Sequence, residues 1–230
     1  MAETKTSKEI LEDYRSHLGK NFGDIYFHAR NEWIDIWITW NQYENLFGHG
    51  SERVDLMNKA GALFFYSVQR HFFETVLLAV CRLSDPIKTG SKANLTVLLF
   101  REFMDTDERR AKIDSLLEKV KGTTEFARDW RNRRISHNDL DLKSGAAEPL
   151  KIANRNIVSN AIQSIYEVIA YISLEFMKSE LVDKVVTGFN NEMNMLDRLY
   201  LGTESRDKEL EDLKNGKAPL PERPEWLHNK

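Results

Sequence analysis

The sequence has little of what marks secreted or membrane-spanning proteins. It contains one cysteine, Cys81, so no internal disulfide can form and nothing indicates an oxidising compartment. No window approaches about 18 uninterrupted apolar residues, and the N-terminus lacks the apolar run of a signal peptide. We therefore expect a soluble, cytoplasmic protein with no membrane partner.

Proline and excess positive charge are also scarce. Three of the 5 prolines follow residue 218, and none interrupts the apolar-periodic chain between Gly23 and Pro86. This pattern predicts helices, because proline breaks a helix interior. The formal charge of −3 argues against a protein that coats nucleic acid through bulk positive charge. Any contact with RNA must therefore be local.

What the sequence does contain is bulk for a helical core. Residues 25–47 place aromatic and aliphatic side chains at three- and four-residue spacings, which predicts an amphipathic helix. A long helix is predicted from Ser51 to about Ser84, because Asp85 precedes a proline and therefore disfavours helical angles. Its segment 63–83 is apolar on nearly all faces, so we expect this segment to be enclosed at the centre of a bundle.

The rest of the chain also predicts helices, and no strand-like alternation of useful length is visible. The further helices are expected at about 94–104, 106–121, 123–137 and 154–177, with residues 181–200 extending or following the last one. The predicted fold class is all-α. Residues 1–200 are expected to form one helical domain, and residues 201–230 a charged, proline-containing, partly ordered C-terminal tail.

Positive charge is concentrated in the segment 128–139, which holds four arginines against two aspartates in an otherwise acidic chain. Arginine binds phosphate bidentately and stays charged, whereas histidine can accept and donate protons near neutral pH. Together these side chains can handle a phosphodiester without a metal. The sequence offers neither clustered carboxylates nor paired His and Cys ligands, so we predict no metal site and no cofactor.

Within this segment, Arg131, Asn132 and His137 resemble the motif of the HEPN superfamily, an arginine followed by a polar residue and, further on, a histidine. The segment 72–86, which ends in the letters RLSDP, and the segment 128–139 are similar to the branch named after the AbiU abortive-infection proteins. The resemblance implies a HEPN-like four-helix bundle of long antiparallel helices. It also implies a homodimer that brings two motifs together, and RNA cleavage that leaves a cyclic phosphate.

The resemblance, which spans residues 8 to about 200, also implies roles for individual residues. Arg131 would stabilise charge on the phosphorane oxygens, and His137 would move a proton at the 2′-hydroxyl or the leaving oxygen. Asn132 would orient one of these groups. The remaining arginines are candidates for contacts with RNA phosphates: Arg128, Arg133 and Arg134.

Helical geometry places a condition on this site. Positions six apart on a regular helix differ by about 240° in direction, so Arg131 and His137 do not share one face. Either the helix ends near Ile135, or a partner subunit supplies the second group. Structural roles are predicted for the neighbours: Cys81 as a core thiol, Arg82 and Asp85 as fasteners of the helix end, and Asp129 as the i,i+4 partner of Arg133.

The leading functional hypothesis is a metal-independent endoribonuclease, acting as a toxin or phage-defence effector, with an antitoxin as a further candidate partner. The alternative is a non-catalytic HEPN module that binds RNA, nucleotide or a partner protein, in which Arg131 and His137 only solvate a helix end. The toxin of a nucleotidyltransferase-paired HEPN system fits less well. Those proteins carry a tyrosine two residues after the histidine, where this chain has Asp139.

Overall fold

The computed structural model describes residues 5–137, 139–181 and 191–227, and these residues are predominantly helical. The α-helices of the described chain are α1 (Ser7–Leu18), α2 (Lys20–Phe47), α3 (Ser51–Ser84), α4 (Asp107–Trp130), α5 (Leu140–Ser144), α6 (Arg155–Met177) and α7 (Asn191–Lys214). Short 3₁₀ helices lie at Val97–Phe103 and Glu225–Leu227, and a π-helical turn, Arg131–Ile135, continues α4. The all-α prediction is confirmed.

The chain forms two compact units. The first contains residues 1–41 and 71–186, and the second contains residues 42–70 and 187–230. The segment 128–139 belongs to the first unit. Helix α7 ends at Lys214, inside the stretch that the sequence predicts to be a tail. Of the predicted helical segment 181–200, residues 182–190 lie outside the described residues.

Helix α6 supplies a large part of the core of the first unit. Its buried apolar positions follow the spacing expected of a helix face: Val158, Ala161, Ile162, Ile165, Val168, Ile169 and Ile172. The Trp33 indole donates to the Ile162 carbonyl at 3.3 Å, and the Trp40 indole donates to the Ser159 hydroxyl at 2.9 Å. Helix α6 is long and apolar enough to span a membrane, but half of its most apolar window is buried inside the protein, as in a core helix.

The expectation that residues 63–83 are enclosed is only half right. From Val76 to Leu83 the apolar side chains of α3 are buried except for the half-buried Leu78, whereas Leu63, Phe64 and Tyr66 are exposed by 83%, 66% and 61%. Apolar sequence shows which side chains can be buried. It does not show whether the chain supplies enough partners to bury them on every face.

Several predicted boundaries also change. Gly122 does not interrupt the chain, so the two helices expected at 106–121 and 123–137 form the single helix α4. The expected helix at 94–104 is instead the shorter 3₁₀ segment. It is preceded by two antiparallel two-residue strands, β1 (Lys88–Thr89) and β2 (Lys92–Ala93), which the sequence does not predict. The end of α3 at Ser84 is confirmed.

The second unit has its own small buried cluster and two polar links. Its buried apolar residues are Leu46, Met57, Phe65 and Leu196. Glu192, which is also buried, accepts a hydrogen bond from the Asn45 amide at 2.6 Å. Lys59 of α3 pairs with Asp207 of α7 at 2.9 Å, so these two helices are in contact at the surface.

Candidate functional site

The π-helical turn decides how the arginine-rich segment is displayed. The Ser136 amide donates to the Arg131 carbonyl at 2.8 Å, five residues back rather than four. The wider turn changes the angular step between residues, and it is the last turn of the helix, since Ser136 is a bend and His137 lies outside it. Such turns are rare and recur at functional sites. The helix therefore ends near Ile135, which is the first of the two alternatives that the geometry of the motif requires.

Arg131 is held by a carboxylate 46 residues earlier in the chain. Its Nη1 lies 2.8 Å and 2.7 Å from the two carboxylate oxygens of Asp85. Its Nε donates to the amide oxygen of Asn132 at 3.1 Å. The hydrogen bonds that Arg131 donates to Asp85 raise the pKa of Arg131 above its ordinary value. Asn132 thus orients Arg131, while Asp85 fixes it and offsets much of its charge.

Arg128, one helical turn before Arg131, also contributes to this junction between the ends of α3 and α4. One of its Nη groups donates to the carbonyl of Ser84, and its Nε lies 3.9 Å from Asp85. The end of α3 is therefore tied to the end of α4 by two arginines and one carboxylate. The predicted role of Asp85 as a fastener is confirmed, but Arg82 is not part of this junction, since it pairs with Glu32.

Arg133 is a structural cross-link. It pairs with Asp129 at 3.3 Å, as predicted from the i,i+4 spacing, and its Nε lies 3.6 Å from Asp139. It also donates to the carbonyl of Glu148. Asp129 in turn accepts a hydrogen bond from the backbone amide of Lys151 at 2.8 Å. The guanidinium therefore joins α4 to the loop before α6 and has little capacity left for a ligand.

Asp139 has a second role besides its ion pair with Arg133. Its side chain accepts from the amides of Asp141 and Leu142 at 3.0 Å and 3.3 Å, and so caps the short helix α5. A carboxylate is favoured at this position because it satisfies amides that lack helical partners. The chain that follows His137 is therefore anchored both by a helix cap and by Arg133.

Arg134 and His137 remain available to a ligand. Both are exposed, and neither has an ion-pair or hydrogen-bond partner among the described residues. The Arg134 guanidinium lies 5.5 Å above the Trp130 ring, a distance at which a cation is attracted to the ring face. The Trp130 indole donates to the Lys151 carbonyl at 2.8 Å, which fixes the ring beneath the cation.

Cys81 lies beneath this cluster and is fully buried, as predicted for a core thiol. Burial raises its pKa to about 11, although Arg131 acts in the opposite direction. A thiol that stays protonated at neutral pH is a poor nucleophile. Cys81 therefore takes no part in the candidate chemistry.

A shallow cavity of about 260 Å³ opens beside the junction. Asp85 lines it together with Glu32, Arg82 and Asn94. The Asn94 amide fixes the rim, since it donates to the Pro86 carbonyl at 2.7 Å and the Thr89 hydroxyl at 2.8 Å. Among the described residues, no group of three or more His, Cys, Asp and Glu side chains is placed to hold a metal ion.

The amino-acid sequence matches a known family. A model of the HEPN family AbiU2 matches residues 19–195, more than half of the chain. The chain belongs to the AbiU2 family of HEPN proteins. This confirms the resemblance drawn from the sequence. No curated protein and no solved structure matches the chain.

The match with AbiU2 covers every residue of the candidate site. It includes the end of α3 with Asp85, the π-helical turn and His137. Among the predicted RNA contacts, this AbiU2 protein exposes Arg134 but commits Arg128 and Arg133 to intramolecular partners. The sequence gives no sign that Asp85 reaches Arg131, because the two residues are distant in the chain and neither lies in a local pairing pattern.

Proposed function

We propose that this AbiU2 protein is an endoribonuclease that uses Arg131, Asn132 and His137 and needs no metal for the chemical step. The observation that carries the proposal is the π-helical turn between Arg131 and His137, which ends the helix and leaves the imidazole exposed, with no partner among the described residues. An imidazole that is free of other partners can accept and donate protons near neutral pH. Membership of a HEPN family is consistent with a ribonuclease or abortive-infection role.

In the proposed reaction, the RNA 2′-oxygen attacks phosphorus and the bond from phosphorus to the 5′-oxygen breaks. One imidazole takes the proton of the 2′-hydroxyl, and a second, protonated imidazole gives a proton to the departing 5′-oxygen. Arg131 stabilises the charge that grows on the other phosphorus oxygens. The products are a 2′,3′-cyclic phosphate and a 5′-hydroxyl.

A homodimer supplies the two imidazoles. The proposed dimer places two copies of the segment 128–139 at one two-fold axis, so each His137 faces its counterpart across a shared cleft. Dimers reassembled from wild-type and His137→Ala chains in varying ratios test this arrangement. A mixed dimer carries a single His137, so if both imidazoles are needed, cleavage falls with the square of the wild-type fraction. If one imidazole is enough, cleavage falls linearly with that fraction.

The decisive experiment incubates the purified protein with total RNA in EDTA. His137→Ala should lower the cleavage rate by about 10²–10⁴, which is the usual contribution of a general acid or base. Arg131→Lys should also cleave poorly, because an ammonium lacks the bidentate fork. His49→Ala is the matched control, since His49 is another exposed histidine. Undiminished cleavage by His137→Ala, or of RNA with a 2′-deoxy group at the scissile nucleotide, would rule out this mechanism.

A second candidate function rests on the Asp85 contact. Because Asp85 already occupies Nη1 of Arg131, a substrate phosphate must share that arginine or displace the carboxylate. This pairing favours a non-catalytic HEPN module that binds RNA, nucleotide or a partner protein. Binding of RNA by the wild type without cleavage, weakened in Arg134→Gln, would support this second function.

A further inference from the structure

A second cavity in the first unit shares no residue with the arginine-rich segment. Its volume is about 460 Å³, and it is lined by residues of α1, α2 and the end of α6. The lining includes Tyr14, His17 and Arg30 as polar groups, with Trp33 and Met177 among the apolar ones. Small-molecule sites typically enclose about 300–1,000 Å³ and combine apolar walls with a few polar groups. The cavity therefore has the size and lining of a ligand site.

Arg30 is the unusual member of this lining. Its Nε is buried and has no hydrogen-bond partner among the described residues. Among the described residues, every other half-buried arginine has a partner, for example Arg15 with Asp24 and Arg109 with Glu175. Guanidinium cannot lose its charge in a protein, so a buried, unpaired donor of this kind calls for an external acceptor.

One further donor lines the same cavity. The Tyr14 hydroxyl makes no hydrogen bond among the described residues, and burial raises its pKa, so it remains protonated. His17 is not such a donor, because its Nδ1 lies 2.8 Å from the Asp13 carbonyl and must carry the proton, which leaves Nε2 of the neutral ring as an acceptor. Arg30 and Tyr14 are therefore the donors that the cavity offers to a ligand.

The carboxylates of the cavity do not neutralise Arg30. Asp13 lines the cavity but pairs with Lys5 at 3.2 Å. Glu180 also lines the cavity, yet its side chain is exposed and forms no ion pair with Arg30 among the described contacts. Arg30 therefore forms no ion pair with either carboxylate of the cavity among the described contacts.

We propose that this cavity binds a small phosphate monoester, with the phosphate on Arg30 and Tyr14 and the organic part against Trp33 and Met177. The arginine fork matches phosphate oxygens in pairs. A phosphate monoester has three terminal oxygens, so the guanidinium fork can hold two of them and the Tyr14 hydroxyl the third, whereas a carboxylate has only two. The apolar wall favours an organic ester over inorganic phosphate, because it gains free energy only when apolar surface is buried against it.

The test is calorimetric titration of the full chain with four probes: AMP, inorganic phosphate, adenosine and acetate. AMP should bind at least about tenfold more tightly than phosphate, and adenosine and acetate should bind far more weakly than AMP. Arg30→Met should abolish AMP binding, and Tyr14→Phe should weaken it by up to about tenfold, the worth of one neutral hydrogen bond. Glu180→Gln should bind AMP as well as the wild type or better.

Arg70→Met is the matched control and should bind AMP normally, since Arg70 is an exposed arginine of the second unit, outside the cavity and the segment 128–139. Without ligand, Arg30→Met should melt no lower than the wild type, because no protein partner is lost. The proposal is overturned if neither AMP nor phosphate binds, if Arg30→Met binds AMP undiminished, or if phosphate binds as tightly as AMP. If Arg30→Met fails to fold, Arg30 has an internal partner and the assignment of Arg30 to a ligand is also wrong. Tyr14→Phe still reports on AMP binding in that case.

Discussion

The arginines of the segment 128–139 and Arg30 occupy opposite electrostatic situations. In the segment, Arg131 faces Asp85, and Arg133 faces two carboxylates and a carbonyl. In the cavity near α1, Arg30 is partly buried and forms no ion pair among the described residues. The region that looks strongly cationic in the sequence is largely neutralised, and a single arginine with no basic neighbours retains its full charge.

This difference teaches that charge density along a sequence does not measure the charge available to a ligand. A guanidinium already bound by a carboxylate must exchange one ion pair for another, so its net contribution to binding is small. An unpaired guanidinium in a cavity has already lost solvent and gains the whole interaction. Variants of the two regions should therefore behave differently.

The largest expected contrast is in stability. Arg133→Met should lower the free energy of unfolding by about 2 kcal/mol, because it leaves Asp129 and Asp139 without their cation, discounted for their partial exposure. Arg30→Met should leave the free energy of unfolding unchanged or raise it. Urea denaturation measures both free energies of unfolding, provided that the unfolding free energy of each variant depends on urea concentration with the same slope.

Arg134→Met is the control for this contrast. Its guanidinium is exposed and contacts only the face of Trp130, so its loss should cost no more than about 1 kcal/mol. If Arg133→Met is no less stable than Arg134→Met, the cross-link between α4 and the loop before α6 contributes nothing. The contrast between paired and unpaired arginines would then have no energetic basis.

A smaller effect is expected for the junction of α3 and α4. A double-mutant cycle on Asp85→Asn and Arg131→Met should give a coupling energy of about 1 kcal/mol in urea denaturation, since the pair is bidentate and half-buried. The exposed pair Lys59 and Asp207 is the comparison and should give less than about half of that value. Equal coupling energies in the two cycles would contradict the special role assigned to Asp85.

Much of the fold follows from local signals in the sequence. The Asp85-Pro86 step ends α3, Thr106 caps α4 with a bond to the Arg109 amide at 3.2 Å, and Asn154 caps α6. Each depends on chemistry within a few residues. The exposure of Leu63 and Phe64 could not be predicted in this way, because burial depends on which distant helices the chain provides.

The features of the candidate site also fall into those that local sequence predicts and those that depend on the folded structure. The motif residues and the Asp129 to Arg133 pair are local and were predictable. The π-helical turn is not, because it depends on one shifted hydrogen bond that no residue type encodes. The Asp85 to Arg131 pair is equally hidden, since it joins two helix ends that only the folded core brings together. For the same reason, the sequence predicts RNA contacts for both Arg133 and Arg134, although Arg133 pairs with carboxylates and Arg134 lies over the Trp130 ring.

The smallest expected effect concerns that pair of neighbours. Among the described residues of the segment, Arg134 is the exposed guanidinium without an ion pair, so Arg134→Gln should weaken RNA binding by a few-fold. For single-stranded RNA, the slope of the log binding constant against log salt concentration should become shallower by about 0.7. Arg70→Gln, at an exposed arginine of the second unit, is the matched control and should change neither quantity. Filter binding over a range of salt concentrations measures both. An unchanged slope for Arg134→Gln would mean that RNA does not reach the one guanidinium that the π-helical turn leaves exposed, and the segment 128–139 would lose its status as the RNA-contacting surface.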